Sequence, residues 1–235
     1  MEPVARYSSV VFDCDSTLAA LEGIDALCAG LPGARAAEVA ALTAAAMNGE
    51  IPLADVYARR LEIVRPSAQD LEAVGRAYVD RMLPGTREVV DTLRSRGVAV
   101  SIVSGGLAPA VRVLATALGL PTGSVHAVDV RFTDDGAYGD FDRASPLWRN
   151  HGKVEVLAAL RAQRAPLLFV GDGVTDLEAR PVVDRFVGFG GVVEREAVRA
   201  GADRYVVARD LCFVLDEVFP DGLSPPRPGA GRPAR

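Results

Sequence analysis

The sequence predicts an α/β protein, with a Rossmann-like core of mainly parallel strands and a helical bundle inserted as a cap after the first strand. Two observations support this fold class. Short apolar runs typical of buried strands alternate with helical patterns over most of the chain, as in a parallel sheet covered by helices on both faces. Between Leu18 and Met82 the alternation stops, and no strand pattern is found.

The first half of the core is predicted from apolar runs and from the residues that begin or end helices. Residues 10–12 are the first strand, and residues 86–96 form a helix that a glycine ends. The apolar run at residues 98–103 is the next strand. Pro109 in a first turn and Gly119 as a stop delimit the helix that follows.

The second half of the core continues the alternation. Asp135-Gly136 predicts the turn of a hairpin between residues 130–132 and 137–138. A helical pattern at residues 151–160 and a single apolar face at residues 211–218 predict two more helices. Strands are predicted at residues 125–128, 167–170, 185–187 and 205–207.

The stretch without strands is predicted to hold several amphipathic helices. Ser67 and Asp70 have the spacing of a capping box at the start of one of them. We expect this insertion to close over the functional site, and the Pro-, Gly- and Arg-rich C-terminus to be loose. The predicted division is residues 1–17 and 84–219 for the core, 18–83 for the cap and 220–235 for the tail.

The composition argues against several classes of protein. A net charge of −5 and an aromatic content of 6% argue against a nucleic-acid partner, which favours a basic surface. No apolar run reaches the roughly 20 residues that span a membrane, and the N-terminus lacks a signal-peptide pattern. Cys14, Cys28 and Cys212 show no paired spacing, which favours a reduced, cytoplasmic setting. A monomer and a homodimer both stay open.

Two carboxylates directly follow the first predicted strand. Asp13 and Asp15 lie at the carboxyl end of an apolar run, where open α/β sheets bind ligands, and Thr17 completes a D-x-D-x-T pattern. Asp13 is the candidate nucleophile for attack on phosphorus. Asp15 is the candidate acid that protonates the leaving group and the base that then activates water. The alternative is that both are turn or helix N-cap residues.

A second acidic cluster follows a later predicted strand, in a Gly-Asp-Gly turn. Asp13, the backbone carbonyl of Asp15 and Asp172 are predicted to hold Mg²⁺, which prefers oxygen ligands. Asp176 is predicted to support these ligands or Lys153. The alternative is a turn that caps a short helix.

Two further positions complete a predicted phosphate site. Ser104 and the Gly105 amide, in a Ser-Gly-Gly run that Gly106 completes, are expected to donate hydrogen bonds to phosphate oxygens. Lys153 lies in the first turn of a predicted helix, where a cation opposes the helix dipole, so an anion is expected nearby. The alternatives are an ordinary loop and a solvated lysine. Jointly, the four strand-end and helix-start sites predict a magnesium-dependent phosphotransfer enzyme with an aspartate nucleophile.

These motifs resemble those of the phosphatases of the haloacid dehalogenase superfamily, and among them the phosphoserine phosphatase family. The resemblance covers about residues 8–218 and is most specific in the predicted cap. The matching segments are residues 12–17, 22–25, 46–49, 51–53, 59–61, 103–106, 152–153, 171–176 and 188–191.

The resemblance implies the fold of that superfamily and the hydrolysis of O-phosphoserine to serine and phosphate, the last step of serine biosynthesis. It implies Asp13 as the nucleophile that forms an aspartyl-phosphate, and Asp15 as the acid and base. Mg²⁺ would be held by these two residues and Asp172. The residues implied to surround the phosphate are Ser104, Lys153 and Thr175.

Three residues of the predicted cap are implied to select the substrate. Glu22 would pair with the ammonium of phosphoserine, and Arg60 would hold its carboxylate in a bidentate fork. Met47 would supply apolar contact. The alternative is that Glu22 and Arg60 are solvated charges. Two positions depart from the family pattern: Asn48 replaces a usual glycine, and Leu107 replaces a usual aromatic residue.

Two other functions stay open at this point. A related phosphatase or phosphotransferase could use another small phosphomonoester, or pass the phosphoryl group to an alcohol such as homoserine. Glu22 and Arg60 favour an amino-acid substrate but do not distinguish water from an alcohol as the acceptor. A non-catalytic binding module of the same fold is disfavoured, because none of the four chemistry-bearing residues is lost: Asp13, Asp15, Lys153 and Asp172.

Overall fold

The computed structural model describes residues 4–47, 51 and 53–223, with the backbone alone for residues 43–47 and 53. Eight strands lie in this part of the chain. They are β1 (Ser9–Phe12), β2 (Ala99–Leu107), β3 (Val125–Val128), β4 (Val130–Phe132), β5 (Tyr138–Phe141), β6 (Leu167–Gly171), β7 (Arg185–Phe189) and β8 (Arg204–Val206).

Six of these strands form one parallel sheet in the spatial order β3-β2-β1-β6-β7-β8. β1 lies between β2 and β6, and its last residue, Phe12, is opposite Ile102 on β2 and Val170 on β6. β4 and β5 form a separate antiparallel pair, which confirms the predicted hairpin. Gly136 in its turn has a φ of +81°, a conformation that glycine adopts without strain.

Helices connect the strands and form the insertion after β1. Those of the insertion are α1 (Gly23–Cys28), α2 (Gly33–Met47), α3 (Leu53–Val64) and α4 (Ala68–Asp80). Those of the remaining chain are α5 (Thr86–Ser95), α6 (Ala108–Ala117), α7 (Gly152–Gln163), α8 (Val174–Leu177), α9 (Glu196–Gly201) and α10 (Phe213–Val218). The capping box predicted at Ser67 and Asp70 is confirmed at the start of α4. No helix of the described residues is both long and apolar enough to cross a membrane.

Apolar side chains cover both faces of the sheet in two clusters. Val10 and Phe12 of β1 point into one cluster and Val11 into the other, as the two-residue period of a strand requires. The insertion shares both clusters: Val74 of α4 joins the first, and Leu61 of α3 joins the second. The inserted helices are therefore packed onto the α/β core through common apolar contacts.

The main departure from the predicted elements lies in β2. The strand predicted at residues 98–103 continues to Leu107, so Ser104-Gly105-Gly106 lies inside it rather than after it. β2 pairs with β3 on both sides of this segment, at Val103 and at Leu107, with a register shift between them. The six-residue α9 and short 3-10 turns at residues 122–124, 146–148 and 180–182 are not predicted by the sequence patterns.

Candidate active site

The ends of three neighbouring strands bring the predicted site residues together. β1 lies between β2 and β6 and all three run parallel, so their carboxyl ends share one edge of the sheet. Asp13 follows β1, and its N–H donates to Val170 O at 2.9 Å, which keeps it joined to β6. Asp172 follows β6, and Ser104 lies in the last part of β2.

Lys153 is buried between two carboxylates. It lies in the first turn of α7, with its Nζ 2.8 Å from Asp13 Oδ1, and it donates to Asp176 Oδ1 at 2.5 Å. Burial alone would lower the pKa of Lys153, but the charges of Asp13 and Asp176 outweigh it and raise that pKa. The amine therefore stays charged at neutral pH. Asp13 and Asp176 are the nearby anions that the position of Lys153 in a first helical turn predicts.

Three buried aspartates form a compact acidic cluster. One carboxylate oxygen from each of Asp13, Asp172 and Asp176 lies within 4.8 Å of the other two. Both oxygens of Asp176 accept hydrogen bonds, from Lys153 Nζ and from the Gly173 N–H at 2.8 Å. Asp176 is thus already engaged by the protein, which suits a supporting position better than that of a metal ligand.

Asp172 is oriented by two neighbouring side chains. Thr17 Oγ1 donates to its Oδ1 at 3.0 Å, and Arg195 Nε donates to its Oδ2 at 3.4 Å. Burial raises the pKa of Asp172, and the charges of Asp13 and Asp176 raise it further although Arg195 opposes them. Negative charge therefore outweighs positive charge around this carboxylate.

A divalent cation fits this cluster. Asp13 and Asp172 offer buried carboxylate oxygens, the donor type of hard cations, and a cation would offset the negative charge that raises the pKa of Asp172. The oxygen preference of Mg²⁺ predicts the backbone carbonyl of Asp15 as a third ligand, and this stays a prediction. The Asp15 carboxylate does not belong to the acidic cluster found among the described residues.

The Asp15 carboxylate is held on one side by the inserted helices. Tyr78 Oη donates to Asp15 Oδ1 at 2.5 Å, and the Gly23 N–H donates to the same oxygen at 2.9 Å. Asp15 Oδ2 lies 3.4 Å from the position that a Cβ on Gly106 would take. Burial, with smaller contributions from neighbouring carboxylates, raises the pKa of Asp15 to about 7. A carboxyl group with this pKa can donate and accept protons near neutral pH.

The metal-free protein is expected to lose stability as the pH rises from about 4 to about 7. Asp15 has a pKa of about 7 in the folded protein against an ordinary value of 3.8. Between these values the folded state binds more protons than the unfolded state, so the free energy of unfolding falls as the pH rises. The full shift corresponds to on the order of 4 kcal/mol. Urea unfolding of chelated protein, at a pH of about 5 and of about 8, measures the loss.

Asp15→Asn is the control for this measurement, because it removes one titrating group and should reduce the pH dependence, while Asp172 and Asp176, whose pKa values are also raised, still titrate. Excess Mg²⁺ should restore part of the stability at the higher pH, because a ligand that binds only the folded state stabilises it. Equal pH dependence in the wild type and the Asp15→Asn variant would contradict the pKa of Asp15.

The Ser104–Gly106 segment lies against the acid and base candidate. Ser104 is buried, and its Oγ accepts a hydrogen bond from the Gly106 N–H at 2.9 Å. A Cβ on Gly106 would lie only 3.1 Å from Ser104 Oγ as well as near Asp15, so the backbone here approaches both side chains closely. Gly105, between them, is half-buried. Donation from this segment to a phosphate stays a prediction.

Glu22 and Arg60 both have protein partners. The Glu22 residue is exposed, but its Oε1 accepts a hydrogen bond from the buried Ser16 Oγ at 2.6 Å. Desolvation raises the pKa of Glu22. The Arg60 side chain is 13% exposed, and its Nη2 donates to Asp25 Oδ1 at 2.8 Å. These contacts argue against two freely solvated charges.

The remaining predicted positions are less fully described. Thr175 lies in α8, with its Oγ1 3.5 Å from the position of a Cβ on Gly173. Met47 ends α2, and its side chain lies outside the described atoms, as does the whole of Asn48. Leu107 ends β2 and is buried.

Three residues that hold site side chains are not predicted by the sequence patterns. Tyr78 donates to Asp15, Arg195 to Asp172, and Asp25 accepts from Arg60. Arg195 comes shortly after the Gly-rich segment that ends β7, and a cation at a strand end is a signal that could have found it. Tyr78 lies on a helix without a motif, whereas Asp25 lies in the matching segment 22–25, which assigned it no contact with Arg60.

Comparison with known proteins agrees with this geometry. The model of the haloacid dehalogenase-like hydrolase family matches residues 10–179. The phosphoserine phosphatase of Rattus norvegicus is 37% identical over 212 residues, covering 89% of this chain and 92% of that protein. The phosphoserine phosphatase of Homo sapiens is 36% identical, with the same coverage of 89% and 92%.

A solved structure has the same fold. It is described as a phospho-aspartyl intermediate analogue of phosphoserine phosphatase, and it matches with a TM-score of 0.73 at 24% identity. The match covers 92% of this chain and 99% of that one. Since the family model spans most of the sequence and the relatives align over nearly their whole length, the chain belongs to the haloacid dehalogenase-like hydrolase family.

Proposed function

We propose that the chain is a phosphoserine phosphatase, which hydrolyses O-phospho-L-serine to L-serine and phosphate as the last step of serine biosynthesis. The observation that carries this proposal is the contact between Asp13 and Lys153 at the strand edge that also holds Asp15 and Asp172. One site then contains a nucleophile, a cation, an acid and base, and an acidic cluster. The relatives named phosphoserine phosphatase, at 36–37% identity over 89% of this chain, support the substrate.

Asp13 and Asp15 divide the chemistry between them. An oxygen of Asp13 attacks phosphorus, the bond from phosphorus to the serine oxygen breaks, and Asp15 gives its proton to that oxygen. Asp15 then takes a proton from water, whose oxygen attacks the aspartyl-phosphate and releases phosphate and free Asp13. Because Tyr78 and Gly23 occupy Asp15 Oδ1, Oδ2 is the oxygen available for both proton transfers.

The phosphate is bound by groups that compensate its charge. Lys153 is charged and buried beside Asp13, and Ser104 and the Gly105 amide are the proposed donors at the same edge, where the Gly106 N–H donates to Ser104 Oγ. We propose Mg²⁺ as the metal, held by Asp13, Asp172 and the Asp15 carbonyl; when bound, it would neutralise phosphate charge that otherwise repels the nucleophile. Thr175 lies in α8, beside the turn that carries Asp172.

The division into a core and a cap follows from the same assignment. We propose residues 1–17 and 84–219 as the catalytic core, residues 18–83 as the cap, and residues 220–235 as a tail, of which 224–235 lie outside the described residues. The strand ends supply the phosphate chemistry. The insertion supplies Glu22, Arg60 and Tyr78, whose hydroxyl donates a hydrogen bond to Asp15.

The setting of the enzyme is proposed from its composition and cysteines. All three cysteines are free thiols, which supports a reduced compartment such as the cytoplasm. A net charge of −5 supports a small-molecule substrate over a nucleic acid. A monomer and a homodimer are both compatible with this function.

The substrate is tested by removing the two cap charges. If Arg60 binds the carboxylate of phosphoserine and Glu22 its ammonium, each variant leaves a substrate charge unpaired in a desolvated pocket, at about 2–5 kcal/mol. We expect kcat/KM for phosphoserine to fall by roughly thirty-fold to several thousand-fold in Glu22→Gln and Arg60→Ala. In the same variants, kcat/KM for an aryl phosphate, which lacks both groups, should fall little. The measurement is the ratio of kcat/KM for the two substrates.

Arg59→Ala is the matched control for Arg60→Ala. Arg59 is the neighbouring arginine of α3, but its side chain is 62% exposed and its partner is Glu38 on α2. Its removal should leave the ratio at the wild-type value. A ratio that no substitution changes would exclude Glu22 and Arg60 from substrate binding and leave only the broader phosphatase assignment.

A further inference from the structure

Two buried hydrogen-bond donors on α3 have no acceptor among the described residues. The Tyr57 residue is 5% exposed, and its hydroxyl has no hydrogen-bond partner within the part of the chain that the structure describes. Arg60 Nε, three residues later on the helix, is also buried and unpartnered there. Residues three apart share one helix face, so the two donors can serve one acceptor. An unpaired buried hydroxyl is costly, which indicates a partner beyond the residues that the structure describes.

The direction of the Tyr57 hydroxyl is fixed by packing. The Tyr57 ring meets Phe141 edge-on, with centroids 5.4 Å apart and planes at 68°. Phe141 is itself buried and packs edge-on against Trp148 at 5.3 Å. The contacts of Tyr57 with Phe141, and of Phe141 with Trp148, therefore hold the phenol ring in place, so the ring cannot readily turn its hydroxyl towards solvent.

The charges around Tyr57 belong to the candidate site. Burial is the main reason that the pKa of Tyr57 is raised; the Asp15 carboxylate raises it further, and Arg60 opposes them. The hydroxyl thus lies within electrostatic reach of the acid and base candidate and of the guanidinium. It stays protonated over the working pH range and is a neutral donor.

We propose that the Tyr57 hydroxyl donates a hydrogen bond to the carboxylate of the amino-acid substrate, beside Arg60, and so determines specificity for that group. This inference rests on the proposed function and extends its carboxylate site by a second donor. A carboxylate suits the pair because it offers two acceptor oxygens and opposite charge to Arg60. The substrate ammonium is excluded from this position, because Arg60 would repel it.

Tyr57→Phe tests the proposal, because it removes only the hydroxyl. The two substrates are O-phosphoserine and O-phosphoethanolamine, which keeps the phosphate and the ammonium but lacks the carboxylate. We expect kcat/KM for phosphoserine to fall on the order of ten-fold, the effect of losing a hydrogen bond to a charged group. The value for phosphoethanolamine should not change. Tyr138→Phe, which removes a phenolic hydroxyl from the same apolar cluster, should affect neither substrate.

Binding of L-serine gives a second measurement that does not depend on turnover. Calorimetric Kd for L-serine should rise on the order of ten-fold in Tyr57→Phe. The ligand-free variant should melt at the wild-type temperature or above, since the hydroxyl has no hydrogen-bond partner in the part of the chain that the structure describes. This separates a binding role from a structural one.

The outcomes distinguish the inference from the function on which it rests. If the wild type does not prefer phosphoserine to phosphoethanolamine, the proposed function fails and the inference with it. If the wild type has that preference but Tyr57→Phe keeps both the preference and the L-serine Kd, the role of Tyr57 alone is overturned. A ligand-free variant that melts well below the wild type would also overturn it, because the hydroxyl would then have a structural partner.

Discussion

Asp13→Asn is expected to abolish phosphate release while leaving the fold intact. The amide is a far poorer nucleophile than the carboxylate, so no aspartyl-phosphate forms. Asn has the same shape, and Lys153 keeps its hydrogen bond to Asp176, so the buried cation retains one partner. We expect kcat for phosphoserine to fall by about 10⁴-fold or more, as for other enzymes that lose their nucleophile. Steady-state phosphate release and the melting temperature are the two measurements.

The control replaces Asp184, an aspartate that contacts the first residue of β6, at the edge of the sheet opposite the site. Asp184 accepts from the Leu167 N–H at the start of β6 and pairs with Arg161, whereas the acidic cluster lies at the other end of β6. Asp184→Asn should keep its turnover. Mass spectrometry of acid-quenched enzyme should find phosphate on wild-type Asp13 and none on the variant. Turnover at the wild-type rate by well-folded Asp13→Asn would rule out the covalent mechanism.

The strand-end part of the site can be predicted from the sequence because parallel strands share an edge. Asp13 and Asp172 each follow an apolar stretch that predicts a strand. Because strands and helices alternate along the chain, these strands are expected to be parallel. The contact of Lys153 with Asp13 and Asp176 also has a local signal, since a cation in a first helical turn calls for a nearby anion. These residues come together by topology alone.

The contacts made by the inserted helices cannot be predicted in this way. Tyr78 is 63 residues from Asp15, and its hydroxyl reaches that carboxylate only because α4 packs on the core. The pairing of Arg60 with Asp25 depends likewise on how α3 lies beside α1. Helical periodicity fixes which face of a helix is apolar, but not its rotation or height against a neighbour.

Backbone irregularity is the other limit of the sequence patterns. Ser104-Gly105-Gly106 has the composition of a loop, and the patterns end the strand before it. In the structure the sheet continues through the segment, because a register shift allows β2 to pair with β3 again at Leu107. The consequence for the site is that Ser104 and Gly106 lie between two paired positions, Val103 and Leu107, which fix the segment beside Asp15 more firmly than a free loop would.

Asp15→Asn is expected to slow phosphoserine hydrolysis by about 10²- to 10⁴-fold, the usual contribution of a general acid and base. The serine oxygen is a poor leaving group and needs the proton that Asp15 Oδ2 supplies. The Asn carbonyl can still accept from Tyr78 and from the Gly23 N–H, so the side chain should keep its position. The loss then reports proton transfer rather than misplacement.

The leaving group separates the two roles of Asp15. An aryl phosphate releases a stabilised phenolate that needs no proton, so the first step of Asp15→Asn, measured as the burst of phenolate, should be nearly as fast as in the wild type. The later hydrolysis of the aspartyl-phosphate should stay slow for every substrate, because it requires the same residue as a base. Phosphorylated Asp15→Asn should therefore accumulate after the burst. A first step that slows equally for phosphoserine and for the aryl phosphate would mean that Asp15 does not protonate the leaving group, and that Tyr78 and Gly23 position it for another purpose.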